Sequence, residues 1–179
     1  QVASRYANTH GTHTHTRHIH TRPGAQEEQE SSQLAAAREL HDRTLRLLEA
    51  AREFCPDAKI FLASSAEVFG EPAESPQSET TLMRPATPYG IAKMAGNQFG
   101  RLHREKYSQF VAVGHLYNHE SPLRGKEFVT RKVTDAVARI KLGLQEKLKL
   151  GNLDARRDWG FAGDYVRAMW LMLQQERPD

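Results

Sequence analysis

At 179 residues and 39% hydrophobic content the chain has the length of one ordinary domain, and no apolar run nears the roughly 20 residues that span a bilayer, so no membrane partner is expected. Net charge is only +3, with basic and acidic residues interleaved, a pattern without a nucleic-acid footprint. The single cysteine, Cys55, permits no internal disulfide; with no signal-peptide pattern visible either, a reducing, cytoplasmic setting is expected.

Residues 1–33 differ in kind from the rest. His10, His13, His15, His18 and His20 fall among threonines, followed by Pro23-Gly24 and the acidic Glu27, Glu28 and Glu30. With almost no apolar material to repay the entropy of ordering, this stretch is expected to be a low-complexity, disordered tail. A histidine tract can bind metal, but no cysteine or carboxylate at ligand-like spacing supports it, and no metal site is expected.

From Leu34 to Phe54, Ala37, Leu40, Thr44, Leu47 or Leu48, and Ala51 recur at helical steps, and Pro56 ends the run. An apolar strand follows at Lys59–Ser65 and runs into Ser64, Ser65, Ala66 and Glu67. A buried strand ending in small polar residues delivers side chains to the carboxyl edge of a parallel sheet, where open α/β sheets bind ligands. Gly70–Pro88 reads as a long Pro/Ser/Thr-rich loop, a kind that is usually functional or disordered.

Thr87-Pro88 then starts a helix with Ala92, Ala95, Phe99 and Leu102 as its apolar stripe. Tyr89 and Lys93, four apart, share one face of it. A cation beside a phenol favours the phenolate, so the pair forms a proton acceptor with its tuning charge. Ser65 adds a hydroxyl and Glu67 a second acid/base. A second strand, Phe110–Tyr117, ends in Asn118-His119-Glu120-Ser121-Pro122 and completes a right-handed crossover unit. Beyond it, Arg124, Lys126, Arg131 and Lys132 crowd the approach to a helix built on Val133, Val137 and Ile140. A short strand at Lys147–Asn152 leads to Arg157 and Asp158. The last helix, from about Asp164, is expected to turn Val166, Met169, Trp170 and Leu173 inward. Charges of this kind usually form a solvated face; against that, Arg124, Lys132 and Arg157 follow strand ends, where an anionic ligand would sit.

These residues carry a resemblance. Ala63-Ser-Ser-Ala-Glu-Val-Phe-Gly70 and Pro88-Tyr-Gly-Ile-Ala-Lys93 resemble the core of extended short-chain dehydrogenase/reductases. Asn118–Pro122, Phe128–Lys132, Leu150–Ala155, Arg157–Gly160 and Asp164–Leu173 narrow it to the GDP-mannose 4,6-dehydratase family. The likeness runs from about Thr44 to Gln174. It implies an α/β fold: a partial doubly wound, Rossmann-like parallel sheet lacking its first strands, with the start of a smaller substrate-binding part. On that reading 34–122 is the latter half of the catalytic domain and 123–179 belongs to the nucleotide-sugar-binding region.

The resemblance also implies a lyase that turns GDP-mannose into GDP-4-keto-6-deoxymannose through an internal NADP redox cycle, a step toward GDP-fucose and other GDP-deoxyhexoses. Tyr89, Lys93, Ser65 and Glu67 match its catalytic residues; Tyr89, Lys93, His119 and Arg124 its cofactor contacts; Asn118, Lys132 and Arg157 its substrate contacts. A homo-oligomer, dimer or tetramer, is implied as well. Leu123 and Phe161 depart from a family arginine and histidine. No Gly-rich phosphate loop follows a strand, since Gly11 and Gly24 stand isolated; the 179-residue chain alone is therefore expected to be inactive. Two alternatives stay open: another nucleotide-sugar epimerase, dehydratase or reductase, or a remnant that serves only as a binding module.

Overall fold

The computed structural model describes residues 24–178, so the expectation for the histidine-rich residues 1–23 lies outside them. Helix α1 spans Ala25–Phe54 and starts well before the predicted Leu34. Residues 25–33, expected as tail, are therefore helical. The Gly24 amide donates to Glu27 Oε2 at 3.2 Å, and Glu27 and Glu28 place negative charge at the first turn. Ala, Gln and Glu are good helix formers, so propensity extends the helix where no apolar stripe signals it. Farther along, Ala37 and Leu48 are buried while Leu47 is 56% exposed, which makes Leu48 the inward leucine.

Strand β1 is Ile60–Ala63, and after a 3-10 turn at Ala66–Val68 and a long loop comes α2, Pro88–Tyr107. Strand β2, Val111–Gly114, pairs parallel with β1 in the register Ile60 to Val111 through Ala63 to Gly114. Both strands are shorter than predicted. Thr87 caps α2 and Pro88 opens it; Ser108, in the left-handed region at φ 53°, ends it.

Helix α2 packs against α1 and the sheet through small residues. A Cβ added to Gly100 would stand 3.0 Å from the Val113 side chain and 3.1 Å from that of Leu62, so a larger residue here would press on both strands. The buried face therefore runs Ala92, Gly96, Gly100, His103, and the predicted stripe is rotated: Leu102 is 44% exposed and His103 only 1%. His103 is accommodated by polar partners on both ring nitrogens, Gln109 Oε1 at 2.8 Å from Nδ1 and Glu49 Oε1 at 3.4 Å from Nε2.

The remaining elements are β3 (Asn118–Glu120), α3 (Val129–Lys141), β4 (Trp159–Phe161) and α4 (Ala162–Gln174). The predicted strand at Lys147–Asn152 does not form. Its alternating lysines and leucines imitate a strand, but the partner in this region is β4, which pairs parallel with β3 from Asn118–Trp159 to Glu120–Phe161. Helix α3 begins earlier than its apolar residues suggested, and Val137 and Ile140 are exposed while Ala136 is buried. Helix α4 contacts β1 and β2. Val166 and Trp170 face outward, at 61% and 59% exposure, against the prediction. Met169 and Leu173 are half-buried as expected, and Tyr165 and Met172 take the inward places expected of Val166 and Trp170.

Candidate active site

A cleft of about 1440 Å³ opens at the carboxyl ends of β1 and β2 and is lined by Ser65, Glu67, Tyr89, Lys93, Asn118, His119, Arg124 and Arg157. Eight of the nine residues singled out in the sequence thus share one cavity. Lys132 lies on the exposed side of α3 and does not line it.

Tyr89 and Lys93 sit in the first turns of α2, and Lys93 Nζ lies 5.6 Å from the Tyr89 ring centroid. The same Nζ donates to Ala63 O at 2.6 Å, which ties the helix to the last residue of β1. Burial holds the Lys93 ammonium below the ordinary lysine range. The charge is therefore given up at a lower pH than in water, and the cost of burying it is present below that pH and falls away as pH rises through it. An NMR titration of labelled lysines is expected to find Lys93 below the solvated lysines; titration alongside them would contradict this environment.

Ser65 caps the 3-10 turn, its Oγ accepting from the Glu67 amide at 3.2 Å, and retains its own proton to donate. Glu67 Oε2 accepts from Thr87 Oγ1 at 2.8 Å. The loop after the turn needs Gly70: at φ +59° a Cβ there would stand 2.1 Å from Arg84 O. Folded back, the loop forms one wall of the cleft through Glu71, Pro72 and Ser75–Gln77, and Gln77 accepts from the Tyr117 hydroxyl at 2.9 Å. Burial, then the nearby Asp158, pushes Tyr117 above the usual phenol range.

The His119 Nδ1–H donates to Tyr117 O at 2.8 Å. Its ring stacks on Tyr165 at 4.8 Å between centroids. Arg124 lies over the Phe128 ring at 3.4 Å, and its Nε is 3.3 Å from Glu120 Oε2 in an ion pair without a hydrogen bond; that oxygen accepts from Thr130. Pairing of β3 with β4 brings Arg156, Arg157 and Asp158 to the cleft from a distant part of the sequence. Leu123 is 94% exposed and Phe161 59%, so neither stands inside the cleft.

Sequence reasoning passed over Ser64. It is 4% exposed, lines the cleft, and its Oγ has no partner among the described residues. An orphaned buried hydroxyl at a sheet edge fits a ligand that would satisfy it. The strand's polar ending carried that signal, but Ser65 absorbed it. No helix among the described residues is long and apolar enough to cross a membrane.

The family model for GDP-mannose 4,6 dehydratase matches residues 37–179. GDP-mannose 4,6 dehydratase 2 of Arabidopsis thaliana is 57% identical over 139 residues, which are 75% of this chain and 37% of the relative. The GDP-mannose 4,6 dehydratase of Homo sapiens is 50% identical over 138 residues, 76% of this chain and 37% of the relative. The chain thus spans little more than a third of the length of these curated relatives. Among solved structures, RMD from Pseudomonas aeruginosa complexed with NADPH is similar at a TM-score of 0.71 and 28% identity, over 75% of this chain and 47% of that one. dTDP-glucose 4,6-dehydratase from Bacillus anthracis in complex with NAD is similar at a TM-score of 0.65 and 25% identity, over 75% and 42%. The α/β fold is accordingly part of a Rossmann-like sheet, as the sequence led one to expect.

Proposed function

The chain belongs to the GDP-mannose 4,6-dehydratase family, and on that premise we propose that the whole protein converts GDP-mannose to GDP-4-keto-6-deoxymannose with NADP as an internally recycled cofactor. The observation that carries the reading is Glu67 in one cleft with Tyr89, Lys93 and Ser65. A 4-epimerase or a simple reductase needs the phenol and the lysine but not a second acid/base. Glu67 therefore favours dehydration.

Lys93 and Arg124 bring cationic donors to the cleft suited to a phosphorylated dinucleotide, His119 lines it beside them, and the orphaned Ser64 hydroxyl fits a polar ligand. When bound, the nicotinamide supplies a hydride acceptor for C4 and a hydride donor for C6. Tyr89 takes the C4 hydroxyl proton, with Lys93 stabilising the phenolate through its charge. Ser65 donates to O4 as the carbonyl forms. The carbonyl acidifies C5–H, and Glu67 takes that proton and passes it to the departing C6 hydroxyl, which leaves as water. The enolate left once C6 is reduced regains a proton at C5 from solvent, and Tyr89 releases the proton it took. Asn118 and Arg157 in the cleft, and Lys132 on the neighbouring α3, are the proposed contacts to the GDP-sugar. A homo-oligomer, dimer or tetramer, is proposed as the assembly, for which exposed Leu47, Ile91 and Leu102 on α1 and α2 offer apolar surface.

Full-length protein incubated with GDP-mannose and NADP⁺ is expected to yield a nucleotide sugar lighter by one water and carrying a trappable carbonyl. Recovery of an epimer, or of unchanged sugar, would contradict the proposal.

A further inference from the structure

Thr87 both starts α2 and touches Glu67. Its hydroxyl carries one proton and can accept as well. It accepts from the Gly90 amide at 3.0 Å, and it donates its proton to Glu67 Oε2 at 2.8 Å. We infer that Thr87 is a positioning residue for the Glu67 carboxylate, coupling it to the helix that carries Tyr89 and Lys93. The inference deepens the dehydratase reading and rests on it for its catalytic meaning.

The geometry behind it is closely determined. Glu67 sits on a three-residue turn and is exposed, so its side chain would otherwise sample many rotamers. Its backbone amide is held by Ser65 Oγ at 3.2 Å. The turn also meets α2 at the backbone, since a Cβ on Gly90 would stand 2.7 Å from Glu67 O. With the backbone fixed on both sides, the bond from Thr87 fixes the carboxylate itself. Oε2 is engaged, while Oε1 has no hydrogen-bond partner among the described residues and is left for proton transfer. A displacement of about 1 Å in an acid/base group can cost up to roughly 10²-fold in rate.

Capping and positioning can be separated. Glycine caps a helix nearly as well as threonine but has no hydroxyl proton to give the carboxylate; serine has both abilities; valine has neither. In the full-length enzyme, Thr87→Ser is expected to eliminate water at near the wild-type rate, and Thr87→Val about 10-fold or more slowly, with oxidation at C4 less affected. Thr87→Gly is expected to recover most of the thermal midpoint lost in Thr87→Val, yet to remain slow in elimination. Wild-type elimination in Thr87→Gly, or equal loss of both steps in every variant, would reduce Thr87 to a cap and overturn the inference. Crystal structures of wild type and Thr87→Val test the positioning without turnover: the Glu67 carboxylate should turn away in the variant, and a carboxylate left in place overturns it. If the carboxylate turns away while the wild type fails to dehydrate GDP-mannose, the positioning stands and the assigned activity falls.

Discussion

Glu67→Gln in the full-length protein is expected to leave oxidation at C4 in place and to slow the loss of water by roughly 10²-fold or more. Glutamine keeps the length of the side chain, and its carbonyl oxygen can still accept from Thr87, as Glu67 Oε2 does at 2.8 Å. What it cannot do is take the C5 proton and return it to the leaving hydroxyl. Rapid mixing with GDP-mannose should therefore show the first hydride transfer at close to the normal rate and then a stalled sugar still bearing its C6 oxygen. Release of 4-keto-6-deoxy product at the wild-type rate would remove Glu67 from the mechanism.

Tyr89→Phe is expected to act one step earlier. Removing a positioned general base costs typically ~10²–10⁴-fold, and here the loss should fall on oxidation at C4 itself. The ring that Lys93 approaches at 5.6 Å is retained, and Lys93 keeps its bond to Ala63 O, so α2 should stay in place. Tyr89 is 43% exposed, and a change of its hydroxyl to hydrogen should move stability by no more than ~0.5 kcal/mol. The two variants thus part company in a single-turnover trace: one stalls before hydride leaves C4, the other after. A Tyr89→Phe protein that oxidises C4 normally would assign the proton to another group.

Much of this site was legible because its parts are local. An apolar run ending in Ser64-Ser65-Ala66-Glu67 becomes β1 and its turn, and a four-residue spacing puts Tyr89 and Lys93 on one face of α2. What escaped is what neighbours decide. The extension of α1 back to Ala25 rests on propensity and first-turn charge, which leave no apolar stripe to read. The rotation of α2 that buries His103 depends on Glu49 and Gln109 being there to receive it. Lys147–Asn152 alternates like a strand, but a strand forms only where a partner is at hand, and β3 pairs with Trp159–Phe161 instead. Three residues are too few for periodicity to betray β4, although that pairing carries Arg157 and Asp158 to the cleft. The orphaned Ser64 hydroxyl and the bond from Thr87 to Glu67 are tertiary facts and leave no mark in spacing.

The central claim is that one cleft moves a hydride from C4 to C6 of the same hexose while Glu67 removes water between those events. GDP-mannose carrying deuterium at C4, turned over by the full-length protein with catalytic NADP⁺, tests it most directly. A 4-keto-6-deoxy product with the deuterium at C6 and a solvent-derived hydrogen at C5 is expected. Deuterium still at C4, or lost to the bulk cofactor pool, would contradict it.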